Sequence, residues 1–451
     1  MLFSSLTFLV FFLPCAVIAH LLLPAKTRNA FLLAASVFFY AWGEIRYVPL
    51  VVGSMLLNWA FGFGAASEKP RLRALSLTAS LLVNFGALVF FKYASFFMNA
   101  VGLGAYAPQA ALPLGISFYT FQTQAYVVDV YRRKVPAERN FIDYAAFILL
   151  FPQLIAGPIV LYEDVRRELK ERAVTPAALE DGMSRFLAGL GAKTLLANPL
   201  GAVWETMRAA DAVSAPYAWL GLIAFALQIY FDFYGYSLMA IGMGRMFGFH
   251  FPQNFDHPYS AASVQLFWRR WHITLGAWFR EYVYIPLGGS RGGALKTLRN
   301  LFIVWTLTGL WHGASWNFVL WGLWYFVLLA AERFVTGGFL RRHEGIGHVY
   351  TLLAVLLGWA LFATDTPADA AQLAARLFTP GFSRDVLFPL RENAVLLAAA
   401  IVCCVPKACA AVSGLFEKRP ALRVCAMLCV LALCLAALVA EDYNPFLYFR
   451  F

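Results

Sequence analysis

The sequence predicts an all-α protein that crosses a lipid bilayer many times. Hydrophobic residues make up 61% of the 451-residue chain and charged residues 14%, whereas soluble domains carry about 25% charged residues. Residues 301–331 contain no Asp, Glu, Lys or Arg, and a run of this length crosses a membrane once, with room for a break. The mean hydropathy is +0.66. Because backbone groups in hydrocarbon must be satisfied within each segment, spans of this composition are expected to be helices.

The basic residues predict a membrane, and no nucleic acid, as the partner of the chain. The net charge is +11, yet Lys and Arg are grouped in short stretches between apolar runs. This grouping is typical of cytoplasmic loops. A nucleic-acid site would need a soluble basic face, and a chain with 61% hydrophobic residues has little soluble surface.

The first apolar run, residues 6–23, is predicted to be a retained span. No Lys or Arg precedes it and no convincing small-residue cleavage site follows it, so it lacks the marks of a secretory signal. Lys26 and Arg28 come directly after it. Positive charge at this end predicts that the N-terminus lies outside the cytoplasm.

The later apolar runs predict a bundle of about eleven spans with additional re-entrant or interfacial pieces. In chain order these runs are 31–42, 48–63, 75–98, 112–130, 186–203, 217–247, 301–331, 348–362, 394–411 and 422–439. We expect one membrane domain over residues 1–451, with N-terminal helices over 1–135, a catalytic core over 136–335 and C-terminal helices over 336–451.

The apolar run over residues 141–162 is predicted to be re-entrant rather than a plain span. Basic residues lie on both sides of it, so both ends are expected on the cytoplasmic face. Pro152, Gly157 and Pro158 interrupt its middle. Broken helices at membrane depth are tolerated where they line a cavity.

His312 is the first candidate for chemistry, because it lies inside the uncharged run over 301–331. Ionisable side chains at membrane depth are costly and often functional. Gly309 and Gly313 bracket it, where a helix break is easy. Four tryptophans are nearby, at Trp311, Trp316, Trp321 and Trp324. The alternative is a structural histidine bonded to a helix carbonyl.

A basic and aromatic stretch over residues 267–291 is the second candidate. Its aromatic face comprises Trp268, Trp271, Trp278 and Tyr282, and its interleaved cations are Arg269, Arg270 and Arg280. An interfacial helix anchored by Trp and Arg is the alternative. His272 within this stretch is either an interfacial hydrogen-bonding residue or part of a site. Gly288 and Gly289 beside Arg291 could form an anion-binding turn.

Asp232 is the third candidate, being the single charged residue between Asp211 and Arg245. A buried carboxylate must be paired or protonated. Arg269, Arg270 and the two histidines are the expected partners. A structural pairing with an arginine and an orienting role toward a histidine both stay open.

The cysteines predict no metal site. Six of the seven lie in or near the last apolar runs, without paired CxxC motifs or neighbouring histidine ligands. We expect them to pack as small hydrophobic residues.

The motifs around these residues resemble the membrane-bound O-acyltransferase superfamily. The paired blocks at 267–291 and Trp311-His312-Gly313-Ala314 are similar to its bacterial branch, which contains the membrane subunits of alginate O-acetylation and teichoic-acid D-alanylation. Further similar motifs lie at residues 38–42, 112–118, 151–158, 254–255 and 258–259.

The resemblance implies a disc-shaped helical fold in a bacterial inner membrane, with a tunnel between the two faces. It implies that His312 is the family histidine and His272 its second histidine. The implied reaction moves an acyl group from a cytoplasmic thioester, such as acetyl-CoA, to a hydroxyl, without a permanently bound cofactor. The phosphates of such a donor are expected at Arg269, Arg270, Arg280 and Arg291, with Trp271, Trp311 and Asp232 also in the substrate site.

The acceptor stays open at this point. Tyr234 and Leu238 depart from the alginate-type pattern, and Leu238 is more similar to the D-alanylation branch, whereas the 286–289 run is more similar to the acetylation branch. O-acetylation of a polysaccharide such as alginate, helped by a periplasmic partner of the SGNH esterase type, is the preferred interpretation. D-alanyl transfer to teichoic acid and O-acetylation of peptidoglycan or cellulose are the alternatives. A transporter or channel is disfavoured, because polar residues concentrate around His272, His312 and Asp232 rather than over several spans.

Overall fold

The computed structural model describes residues 1–154, 157–210, 213–381, 383–440 and 446. Within these residues the prediction of an all-α membrane protein is confirmed. The β structure in them is a single isolated bridge between Phe255 and Trp271. Ile155 and Ala156 of the 151–158 motif lie outside the described residues.

Twenty-two α-helices follow one another along the described chain. The first eleven are α1 Leu13–Leu22, α2 Arg28–Glu44, α3 Val48–Ala65, α4 Pro70–Leu88, α5 Ala94–Ala100, α6 Ile116–Tyr131, α7 Phe141–Leu149, α8 Tyr162–Lys170, α9 Pro176–Gly191, α10 Asn198–Ala209 and α11 Ala215–Met246. The others are α12 Val264–Arg270, α13 Ile273–Phe279, α14 Ala294–His312, α15 Trp316–Ala331, α16 Gly337–Arg342, α17 Glu344–Phe362, α18 Pro367–Phe378, α19 Leu387–Glu392, α20 Ala394–Cys403, α21 Pro406–Lys418 and α22 Pro420–Ala440.

Seven helical stretches of the described chain are long and apolar enough to cross a membrane, and an eighth results if the bent pair Arg384–Glu392 and Ala394–Cys403 is one span. The expected count of eleven is therefore not confirmed. One reason is that α2 and α3 join through a single helical turn into one 41-residue stretch, Ala25–Ala65, where two spans were expected. Another is that the apolar helix at the N-terminus, Phe8–Leu22, is shorter than a full span.

The 141–162 run is not a continuous helix, as its prolines predicted. Helix α7 begins where the Asn140 side chain accepts a hydrogen bond from the Ile142 amide, at 2.9 Å. It ends at Leu149, and the described residues that follow are non-helical until α8 begins at Tyr162. A nine-residue helix cannot span a bilayer, so a plain span is excluded here.

The chain forms two compact units. One comprises Met1–Phe186 with Tyr236–Gln253, and the other comprises Leu187–Gly235 with Asn254–Phe451. Every candidate site residue belongs to the second unit. The expected boundaries near residues 135 and 335 stay predictions.

Helices α14 and α15 of the second unit form an antiparallel hairpin with backbone contact. A methyl group on Gly309 would overlap the Phe318 carbonyl, and one on Gly322 would overlap the Trp305 carbonyl. Small residues at such a crossing let two helices approach until their backbones touch. The predicted break within 301–331 is confirmed, because α14 ends at His312 and α15 begins at Trp316.

Candidate active site

His312 is the last residue of α14, at the turn of the helical hairpin. Its side chain is buried and surrounded by aromatic rings. The ring centroids of Trp321, Trp311 and Phe362 lie 4.9, 5.0 and 5.3 Å from its own. Trp316, also expected around His312, is 56% exposed. The site is therefore an aromatic pocket at a helix break.

The chain before His272 is held in place by capping interactions. The Ser263 hydroxyl accepts a hydrogen bond from the Leu266 amide at the start of α12, at 3.0 Å. The buried Glu332 carboxylate accepts two more from this helix start, from the amides of Val264 at 2.6 Å and Gln265 at 2.9 Å. A carboxylate at a helix N-terminus satisfies its free amides and its dipole. Glu332 thus fixes the helix that leads to His272.

His272 lies between α12 and α13 in the left-handed backbone region, with a φ of 46°. Its side chain is 2% exposed. Its Nδ1 atom lies 3.0 Å from Oδ1 of Asn254, and its ring meets Phe233 edge-on at 4.7 Å. Burial lowers the pKa of the His272 imidazole to about 3, so it is neutral at physiological pH. A strained backbone at a buried polar residue is typical of functional sites.

One cavity of about 220 Å³ brings the two histidines together. Its lining residues are mainly aromatic and aliphatic, with His272, His312, Thr308 and Arg280 as the main polar ones. The full set is Trp268, Trp271, His272, Leu275, Gly276, Phe279, Arg280, Tyr284, Leu301, Val304, Trp305, Thr308 and His312. The Trp311 ring contacts both histidines, at 5.8 Å from His272 and 5.0 Å from His312. Arg280 is exposed and therefore lies where the cavity meets the surface.

Three of the four predicted donor-binding arginines do not line this cavity. Arg269 is exposed. Arg270 donates to the Ser260 hydroxyl at 2.8 Å and lies 4.0 Å from Asp256. Arg291 is exposed in a glycine-rich turn, where Gly288, Gly289, Gly292 and Gly293 all have positive φ angles. Of the four, Arg280 alone is placed beside the histidines.

The partner found for Asp232 corrects our expectation of an arginine from the 269–280 stretch or a histidine. Lys193 pairs with it, with Nζ 2.5 Å from Oδ1, and both side chains are buried. The helices approach closely here, because a methyl group on Gly235 would lie 2.6 Å from the Gly189 carbonyl oxygen. A signal for this partner was present, since Lys193 is the single charged residue between Arg185 and Glu205.

A second cavity, of about 250 Å³, lies near the turn of the hairpin and was not predicted from the sequence. Its lining residues carry charges of both signs. They are Trp204, Met207, Arg208, Thr364, Asp365, Asp369, Gln372, Leu373 and Arg376. Asn317, five residues after His312, donates to the Thr364 carbonyl at 2.6 Å, and Phe362 touches the His312 ring. The segment 362–364 thus connects His312 to this polar cavity.

The chain is similar to known proteins along its whole length. It is 36% identical over 499 aligned positions to a probable alginate O-acetylase of Azotobacter vinelandii, with both chains covered completely. It is 34% identical to the peptidoglycan O-acetyltransferase of Helicobacter pylori, covering 83% of this chain and 79% of the relative. Similarity to the teichoic acid D-alanyltransferase of Streptococcus thermophilus is lower, at 27% over 52% of this chain and 59% of the relative.

The family model that matches is MBOAT, the membrane-bound O-acyltransferase family, and it covers residues 77–344. This range includes both histidines, the cavity that they share and the Lys193–Asp232 pair. The chain therefore belongs to the membrane-bound O-acyltransferase family.

Proposed function

We propose that this protein transfers acetyl groups from a cytoplasmic thioester for the O-acetylation of a cell-envelope polysaccharide such as alginate. The observation that carries the proposal is the apolar cavity that His272 and His312 line together. The full-length similarity to a probable alginate O-acetylase supports the acetyl group and the polysaccharide. D-alanyl transfer is the second candidate, favoured by Leu238 but supported by a relative that aligns over only half of the chain.

In the proposed reaction His312 is the general base. Its imidazole takes the proton of the acceptor hydroxyl while the hydroxyl oxygen attacks the thioester carbonyl carbon. The C–S bond then breaks, the thiolate leaves and takes the proton from the imidazolium, and an ester and a thiol are the products. A positioned imidazole contributes about 10²–10⁴-fold to such a step. The surrounding Trp311, Trp321 and Phe362 rings exclude the water that would otherwise hydrolyse the thioester.

The donor would enter the shared cavity at Arg280. Acetyl-CoA, or an acyl group on another phosphate-bearing thioester carrier, offers phosphates that a guanidinium binds well. The basic stretch from Arg269 to Arg299 would face the cytoplasm by its charge, and the N-terminus would lie outside, in a bacterial inner membrane. The thioester arm would then run along α14 from Leu301 toward His312.

The acceptor would approach from the second cavity. This cavity is lined by Thr364, two residues after Phe362, which contacts the His312 ring, and this supports access to His312 that does not pass Arg280. A periplasmic partner of the SGNH esterase type would receive the acetyl group there and relay it, or the polysaccharide would receive it directly.

The test is acetyl transfer by the purified protein in lipid nanodiscs. Radiolabelled acetyl-CoA is supplied with an acetylatable oligosaccharide and the periplasmic partner, and ester formation is measured. His312→Ala should retain the folded state and lose at least about 10²-fold in transfer, the scale of a lost general base. His343→Ala, at an exposed histidine outside the cavity, is the matched control and should transfer normally. Near-normal transfer by folded His312→Ala protein would refute the assignment.

A further inference from the structure

The hydrogen bonds around Asn254 determine which way its amide points. Oδ1 lies 3.3 Å from the Thr274 backbone nitrogen and 2.9 Å from the Thr274 hydroxyl. A backbone N–H can only donate, so the side-chain atom that faces it must be the oxygen. The Asn254 carbonyl oxygen also accepts from the Ile273 amide, at 2.9 Å. Asn254 is 1% exposed. These hydrogen bonds hold its backbone carbonyl and its side-chain amide against the start of α13.

The orientation of Asn254 decides where His272 carries its hydrogen. Oδ1 lies 3.0 Å from His272 Nδ1, and an amide oxygen has no hydrogen to give. Nδ1 must therefore be the N–H that donates to it. Because burial keeps this imidazole neutral, the other nitrogen, Nε2, carries only a lone pair.

Nε2 of His272 is a buried hydrogen-bond acceptor that no described protein group supplies with a hydrogen bond. It has no hydrogen-bond partner among the residues that the structure describes, although His272 lines the cavity shared with His312. A buried polar atom left without a partner costs free energy, and this cost is removed when a ligand supplies an N–H or O–H. Because His272 lines the cavity, a substrate bound there is the group that could supply this hydrogen bond.

We propose that Asn254 is a positioning residue that holds His272 with its hydrogen on Nδ1, so that Nε2 accepts a hydrogen bond from an O–H or N–H of a substrate. The inference rests on the proposed acyl transfer and adds a role for His272 to it. The group that donates this hydrogen bond is either the hydroxyl of the acyl acceptor or an amide N–H of the thioester arm. His272 then orients one reactant while His312 removes the proton.

The tautomer is measured directly by ¹⁵N NMR on protein with labelled histidines in nanodiscs, and the His272 signal is identified by its loss in His272→Gln. The wild type should show hydrogen on Nδ1. Asn254→Leu should give a mixture of tautomers and lower kcat by at least about 10-fold, the scale of a lost orienting partner. Asn254→Asp keeps the acceptor and should keep the tautomer. Thr274→Val is the matched control, because it removes one bond to the same oxygen and leaves His272 anchored.

The pH profile separates positioning from a loss of structure. The carboxylate of Asn254→Asp lies beside Nδ1 and raises the pKa of His272. Protonated His272 cannot accept a hydrogen bond. As the pH is lowered, the activity of this variant should therefore fall at a higher pH than the activity of the wild type. The titratable groups that share the cavity are Arg280, Tyr284 and His312. His312 is present in all variants, so a shift specific to Asn254→Asp reports on His272.

The kinetic constants identify the substrate group that Nε2 binds. A raised KM for acetyl-CoA in Asn254→Leu indicates the thioester arm, and a raised KM for the acceptor indicates the hydroxyl. Hydrogen on Nε2 in the wild type would overturn the proposal, as would an unchanged tautomer and kcat in folded Asn254→Leu. If Asn254→Leu does not fold, the wild-type tautomer and the Asn254→Asp pH profile decide. The NMR result does not depend on turnover, so a failure of the acyl-transfer assignment would be recognised separately.

Discussion

The Lys193–Asp232 pair shows how a single contact changes the interpretation of a residue. A lone carboxylate in an apolar helix suggests chemistry, yet here its charge is balanced by an ammonium group at 2.5 Å. Both groups are buried, so each has lost hydration and is stabilised by the opposite charge of the other. The pair fixes the helix that carries Phe233, whose ring packs against His272.

Asp232→Asn should therefore destabilise the protein by about 3–5 kcal/mol, the cost of removing one partner of a buried ion pair. Lys193→Met should have a similar cost. The double variant Lys193→Met with Asp232→Leu should recover much of the loss, since a buried pair can be replaced by apolar groups. Thermal unfolding in detergent measures all three. A stable Asp232→Asn protein with a selectively lowered kcat would instead indicate that Asp232 orients a catalytic group.

Arg280 is the arginine for which a donor-binding role can be tested with matched controls. Arg280→Glu should raise the KM for acetyl-CoA by about 10-fold or more, because a lost hydrogen bond to a charged group costs about 1.5–3 kcal/mol. Arg269→Glu and Arg291→Glu change the same charge outside the cavity and should have smaller effects. Acetyl-CoA binding is followed by steady-state kinetics at fixed ionic strength. Equal effects of all three would point to the field of the whole basic stretch rather than to a contact.

At the scale of elements, the α14–α15 hairpin is sensitive to the size of the residues at its crossing. Gly309→Ala should lower thermal stability, by about 1–3 kcal/mol for an overpacked contact, because the new methyl group meets the Phe318 backbone. Gly86→Ala is the control, as a methyl group there meets nothing within 4 Å. Unfolding of both variants is compared by circular dichroism. A Gly309→Ala protein as stable as Gly86→Ala would mean that the hairpin can separate without cost.

Helices and their interruptions were predictable where the composition of a short segment determines its structure. The uncharged run over 301–331 predicted a helical span with room for a break near Gly309 and Gly313, and the prolines predicted an interruption in 141–162; the break and the interruption are both confirmed. The number of spans was not predictable in the same way. The runs 31–42 and 48–63 predicted two spans, whereas in the structure only one turn of helix, Ile45–Tyr47, separates α2 from α3. The backbone of Glu44 is non-helical, with φ −149° and ψ 72°, so the two helices are joined at a short break rather than by a loop.

At the scale of the whole molecule, the sequence predicted the residues of a candidate site but not their arrangement. The resemblance to the O-acyltransferase superfamily implied that His272 and His312 belong to one site, and both line one cavity. The sequence could not distinguish Arg280 from Arg269 and Arg291, because the three side chains have the same chemistry and differ only in their positions in the fold. Contacts between distant parts of the chain, such as Glu332 with the start of α12, leave no local pattern.

The orientation in the membrane is a further prediction for the whole chain. In a background without the seven cysteines, Ser290→Cys should react with a membrane-impermeant maleimide only from the cytoplasmic side, because the basic stretch around it stays inside. Ser4→Cys should react only from the outside. The opposite pattern would reverse the proposed entry sides of donor and acceptor.

The backbone contact between Gly309 and Gly322 has a consequence for the enzyme in different membranes. Side chains on the outer faces of this hairpin, such as Phe302, Leu307 and Val327, are exposed on the protein surface and would meet lipid. A thinner or thicker bilayer changes the tilt of such helices at a modest cost. At the crossing of Gly309 and Gly322 it should change their separation little, because backbone atoms rather than flexible side chains meet there. Turnover should therefore respond little to the acyl-chain length of the surrounding lipids.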